Sequence, residues 1–71
     1  MRTATWRIKQ HVGEGHSYFW AGAYDSNGNL IVYISAGSEV KQKDAPDWTP
    51  RRYKNVAAAQ RRIDEVGPIY Y

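Results

Sequence analysis

The stretch YFWAGAYDSNGNLIVYIS, residues 18–35, decides the fold. Asn27-Gly28 stands between two runs of β-prone residues, and Asn-Gly is the preferred centre of a two-residue type I′ turn because both positions need φ above zero. The turn predicts a hairpin in which Ser26 faces Asn29. The pairs then continue as Tyr24 with Ile31, Ala23 with Val32, Gly22 with Tyr33, Ala21 with Ile34, Trp20 with Ser35 and Phe19 with Ala36. Side chains alternate along a strand, so one face collects Phe19, Ala21, Ala23, Leu30, Val32, Ile34 and Ala36. The other collects Tyr18, Trp20, Gly22, Tyr24, Ile31, Tyr33 and Ser35. The first face reads as core, which makes Ile34→Ala a costly truncation and Tyr33→Ala a mild one. The second is rich in rings and needs a different explanation.

Upstream, TATWRIKQHV alternates, with Ala4, Trp6, Ile8 and Val12 on one side and Arg7, Lys9 and His11 on the other. Centring the GEGH turn on Glu14-Gly15 sets Ile8 opposite Ala21 and Trp6 opposite Ala23, which joins the apolar sides. The same register sets Lys9 opposite Trp20 and His11 opposite Tyr18. Downstream, NVAAAQRRIDEVGP carries Val56, Ala59, Ile63 and Val66 at helical spacing. Asn55 can cap the start and Gly67-Pro68 the end. The expected fold is α+β: one domain over 1–71, a three-stranded antiparallel β-meander with one C-terminal helix packed on the aliphatic face. Strands are expected at about 3–12, 17–25 and 30–37, a loop at 38–54, and the helix at about 55–66.

The order YFWAGAYDSNGNLIVYIS followed by YKNVAAAQRRIDEV resembles the YegP-like family of small ββ βα units. The matching positions are Tyr18, Trp20, Asn27, Gly28, Leu30, Ile31, Tyr53, Ala59, Ile63 and Val66. The chain departs from the family in its long insert before Tyr53 and in carrying one unit where two often stand in tandem. Family function is unassigned, so the resemblance implies a fold and a pairing of units and no activity.

A chain of 71 residues has room for one small core, and a domain of this size buries only about 60% of its unfolded surface. It has no cysteine, hence no disulfide framework and no thiolate metal site. The longest apolar run, Leu30 to Ile34, falls far short of the roughly 20 residues that span a bilayer, and the N-terminus lacks a signal-peptide apolar region. No membrane association is expected, and a cytoplasmic location is. Net charge is +3 and uneven, with basic ends framing an acidic middle, which favours an anionic partner.

Chemistry is hard to place on these residues. His11, Glu14 and His16 surround a hairpin tip that offers no fourth ligand and no rigid convergence, so no metal site is expected. The carboxylates fall on turns, loop and helix surface, with no defensible acid and base pair. GEGH lacks the helix and the Lys-Ser/Thr of a phosphate loop. The expectation is a protein that is not an enzyme, with no cofactor and no small-molecule substrate.

The informative constellation is Arg7, Lys9, His11, Tyr18, Trp20, Tyr24 and Tyr33 on the second sheet face. Rings stack on bases while cations meet phosphates, so the set suits sequence-tolerant binding of single-stranded nucleic acid. The same residue types suit a protein interface, either a homodimer or a small phage-type or accessory factor engaging a host protein. A third reading is purely structural: cross-strand rings stabilise a sheet, Lys9 can cover Trp20, and a loop carrying Trp48 and Pro50 can fold back over the face. A secondary basic patch, Arg51, Arg52 and Lys54, lies by the helix start, where it could meet phosphate.

Overall fold

A computed structural model describes all of residues 1–71. Four strands, β1 (Thr5–Gly13), β2 (His16–Tyr24), β3 (Leu30–Ile34) and β4 (Val40–Gln42), form one antiparallel sheet in the order β1-β2-β3-β4, and α1 (Val56–Val66) follows. The expected α+β class stands, with four strands instead of three. The additional strand, β4, comes from the segment expected to be loop: Val40 pairs with Ile34, Lys41 with Tyr33 and Gln42 with Val32.

The first hairpin has the expected register, with Ile8 opposite Ala21, Trp6 opposite Ala23, Lys9 opposite Trp20 and His11 opposite Tyr18. The second departs from its expected turn. Gly28 alone has positive φ (83°), the Gly28 N–H donates to the Asp25 carbonyl oxygen at 3.0 Å, and the Asp25 N–H donates to that of Asn29 at 2.9 Å. This is a three-residue loop, a type I turn closed by a glycine bulge. It pairs Tyr24 with Leu30, and the register recovers at Ala23 with Val32 because Ile31 is bulged out of the ladder. Leu30 and Ile31 therefore exchange faces relative to the expectation. Leu30 lies over Gly22 on the aromatic side, where an added Cβ would meet Leu30 Cδ1 at 2.6 Å, whereas Ile31 packs on Ala4, Ala23 and Val32. The turn between β3 and β4 repeats the geometry with Ser38 (φ 68°) in the place that Gly28 holds, a position that costs a non-glycine residue about 1 to 2 kcal/mol.

The β2–β3 ladder stops at Gly22 with Tyr33. Beyond it the expected pairs of Ala21 with Ile34, Trp20 with Ser35 and Phe19 with Ala36 give way to the segment before the helix: the Arg51 N–H donates to the Ile34 carbonyl, Phe19 and Tyr53 exchange both backbone hydrogen bonds, and Pro50 bridges Ser35. Residues 49–53 thus run as extended chain against the ends of two strands.

One face carries the helix. Ala21, Ile34 and Ile63 form one cluster with Trp6, Ile8 and Val66 around it, and Ala4, Ala23 and Val32 form a second with Trp6, Ile31 and Ile69. Phe19, expected in this layer, is half-buried and belongs to neither cluster. Ala59 is fully buried, the small contact that lets the helix approach. The Asn55 side chain accepts from the Ala58 N–H at 2.9 Å as N-cap, and Gly67 (φ 80°) ends the helix by donating to the Ile63 carbonyl. Trp6 joins the two clusters, and its indole N–H donates to the Gly67 carbonyl at 2.9 Å. No helix is long and apolar enough to cross a membrane.

The Asp25 side chain accepts from the backbone N–H groups of Asn27 and Asn29, each at 2.9 Å. The Asn29 N–H foremost, then that of Asn27, with Lys43 nearby, holds the carboxyl below its ordinary value of 3.8. A group whose folded pKa is depressed stabilises the fold above its unfolded pKa and loses that contribution as pH falls through the folded one. Denaturation midpoints of wild type and Asp25→Asn measured from neutral to strongly acidic pH should differ at neutrality and converge below the ordinary carboxylate range. A difference that does not change with pH would show that the turn does not depend on the charge.

Candidate nucleic-acid interface

On the face away from the helix, strand alternation brings up Arg7, Lys9 and His11 from β1, Tyr18, Trp20 and Gly22 from β2, Tyr33 from β3 and Lys41 from β4. The expected set is assembled there, although its members are not equally available. Tyr33 is fully buried and Tyr24 is 9% exposed, so neither can receive a base on its face. Burial raises the pKa of the Tyr24 phenol, partly offset by Arg7. Lys9 is exposed and lies 5.2 Å from the Tyr24 ring centroid, whereas the structural reading of the face set it over Trp20.

Tyr33 is covered by the segment after β4. Its hydroxyl donates to the Asp47 carbonyl at 2.8 Å and accepts from the Thr49 N–H at 3.3 Å, while the Trp48 ring between these anchors sits 4.5 Å from the Tyr33 ring. Trp48 also meets Trp20 edge-on at 5.2 Å. The fold-back of the loop is therefore real and partial: it buries Tyr33, leaves Trp20 half-buried and leaves Trp48 itself 52% exposed. The face does not lose its aromatic character; Trp48 replaces Tyr33 as its outer ring.

The secondary basic patch divides, because extended chain sends successive side chains to opposite sides. Arg52 turns to the aromatic face and stands 4.7 Å over the Tyr18 ring, which His11 stacks against at 4.9 Å. Arg51 turns the other way, with its guanidinium 5.5 Å from the Tyr53 ring and donating to Ser38 Oγ at 2.5 Å. Lys54 is exposed and borders a hollow shared with His16, Tyr18 and Arg52.

The result is an open pocket of about 290 Å³ with Tyr18 and Trp48 in its walls, Arg52 at its rim, and Ala36, Thr49 and Pro50 completing it. His11 and Arg52 already lie against the two sides of the Tyr18 ring, so the exposed Trp48 ring is the free stacking surface of this hollow, with the Arg52 guanidinium beside it to meet an anion. Trp48 and Lys41 were missing from the expected set. The signal for Trp48 was available in its type: a large ring inside a charged loop has an energetic reason to find apolar partners.

No family model, curated protein or solved structure matches the chain.

Burial makes Tyr33→Ala a core truncation, contrary to the sequence expectation. It should cost about 2 to 5 kcal/mol, as Ile34→Ala does. Tyr33→Phe should cost about 1 to 3 kcal/mol, since it strands the Asp47 carbonyl and Thr49 N–H, and should weaken the near-ultraviolet circular dichroism of the Trp20 and Trp48 pair. Denaturant titration decides: a Tyr33→Ala protein within about 0.5 kcal/mol of wild type would place the loop off the sheet.

Proposed function

We propose that this chain is a non-enzymatic binding module that holds single-stranded nucleic acid, with little sequence preference, on the aromatic and basic sheet face. The observation that carries the reading is the exposed Trp48 ring beside the Arg52 guanidinium in the hollow they share with Tyr18. Every base has a face that can stack on a ring, so such a pocket is indifferent to sequence, and stacking is worth about 1 to 3 kcal/mol per base. Lys9, Arg7 and Lys41 flank the rings on the outer strands, at positions where a backbone passing across the sheet meets positive charge. The hairpin tip adds His11 and His16, stacked at a centroid distance of 5.9 Å. Base edges find few fixed hydrogen-bonding partners here, which supports tolerance over sequence readout.

The competing reading is a protein interface, supported by the 52% exposure of Trp48 beside a half-exposed Trp20. In its simplest form two copies meet through this face, in keeping with the paired units that the YegP-like resemblance implies. Light scattering at micromolar concentration separates the two. A dimer that Trp20→Glu converts to monomer supports the interface.

Stacking and phosphate contact leave different signatures in binding isotherms. Against a short oligothymidylate, Trp48→Ala should lose about 1 to 3 kcal/mol with an unchanged salt slope. Arg52→Ala and Lys9→Ala should each flatten the slope by about 0.7 per lost phosphate contact. Single-strand affinity that Trp48→Ala leaves intact would remove the nucleic-acid reading.

A further inference from the structure

On the helix side of the 49–53 segment lies a second pocket, of about 310 Å³, to which neither reading of the sheet face assigns a role. Ser38, Arg51, Tyr53, Arg61, Arg62 and Glu65 line it, three guanidinium groups against one carboxylate. Arg51 and Arg62 are drawn together by Ser38, which accepts from Arg51 through its hydroxyl and from Arg62 through its backbone carbonyl. Arg62 also donates to Glu65 Oε2 at 3.0 Å. These contacts occupy both terminal nitrogens of Arg62 and leave its Nε–H buried with no acceptor. The Tyr53 hydroxyl is likewise buried with no partner, on a residue only 8% exposed. Burial raises its pKa, and Arg51, Arg62 and Glu65, all lining the pocket, act on it.

Two buried donors without acceptors are a cost that native structures normally avoid, and each such group calls for an explanation. A group that only accepts hydrogen bonds and carries negative charge would satisfy both and meet the three arginines. We propose that this pocket binds a tetrahedral phosphate dianion. Both donors are covered in the free protein, so binding turns the Arg51 and Arg62 side chains aside; the Arg62 Nε–H and Tyr53 hydroxyl then donate to its oxygens, while Arg51 and Arg61 supply charge. The phosphate can be free or can be the terminal phosphate of a strand. The site stands on its own residues and does not depend on how the sheet face is used.

The test follows the Arg62 Nε–H resonance as sodium chloride is exchanged for sodium phosphate at constant ionic strength and neutral pH. Wild type should show a saturable shift. Tyr53→Phe should weaken phosphate binding about tenfold or more and, because the deleted hydroxyl has no partner, should unfold at a temperature no lower than wild type without phosphate. Arg61→Ala, an exposed position, should weaken binding with the fold intact. A parallel titration uses oligothymidylate with and without a 5′-phosphate. A gain from the terminal phosphate that Tyr53→Phe abolishes identifies a strand end, while a response to inorganic phosphate alone identifies a free anion. An unmoved Arg62 Nε–H in both titrations, or variants that titrate like wild type, would overturn the proposal.

Discussion

The buried hydroxyl of Tyr33 commits the chain to its arrangement. A four-stranded sheet with one helix can cover only one of its faces with that helix, and the other face here carries Trp20, Tyr24, Leu30 and Tyr33. A phenol at zero exposure must find partners, and Tyr33 finds both in the backbone of the segment after β4, at Asp47 and Thr49. Holding chain in one conformation costs about 1 to 2 kcal/mol per residue. Ordering this loop is offset by burial of the Tyr33 ring and by the contacts of Trp48 with Tyr33 and Trp20. Trp48 is therefore placed by its neighbours in sequence, and the pocket it forms with Tyr18 follows from that placement.

Trp6 does the corresponding work on the helix side. Only 12 of 71 residues are buried, and four of them, Ala4, Ala21, Ala23 and Ala59, are alanines on the helix side, so the layer between sheet and helix is thin. Trp6 spans both apolar clusters and donates to the Gly67 carbonyl, a group the helix end would otherwise leave without a partner inside the fold. The chain that leaves Gly67 returns along the N-terminus, where Arg2 and Tyr71 exchange backbone hydrogen bonds and Ala4 donates to Ile69. The Tyr71 hydroxyl then accepts from the Ser26 N–H at the hairpin tip, and Ser26 foremost, with Arg2, lowers that phenol's pKa. Both ends of the chain are thereby tied to the sheet that the middle of the chain builds.

Local rules made the β1–β2 register, the helix and its two caps legible, because each rests on residues adjacent in sequence: Glu14-Gly15 for the turn, Asn55 and Gly67 for the helix. The exchange of Leu30 and Ile31 was not legible. Asn-Gly serves both a two-residue turn and the end of a three-residue one, and the choice between them rests on the Asp25 side chain, which binds the Asn27 and Asn29 N–H groups and stabilises the longer loop. The bulge at Ile31 then corrected the register, so the faces beyond it came out as expected. The strand at Val40–Gln42 is three residues of mixed polarity on a sheet edge, too short to show a period. The division of Arg51 from Arg52 required knowing that this segment pairs with Phe19 and Ser35, a contact between distant parts of the sequence. For the site, the residue types were legible and their exposure was not, since which ring is covered depends on where the loop lands.

The three tryptophans permit a direct test, because each indole N–H reports on a different place: Trp6 under the helix end, Trp20 on the sheet, and Trp48 on the loop that covers it. In a two-dimensional nuclear magnetic resonance titration with short oligothymidylate at low salt, the indole signals of Trp48 and Trp20 should move together with the amides of Tyr18 and Arg52. They should saturate at a common stoichiometry while Trp6 stays fixed. Movement confined to Arg51–Asn55, or no movement at all, would contradict the claim that the loop and sheet together make a nucleic-acid interface.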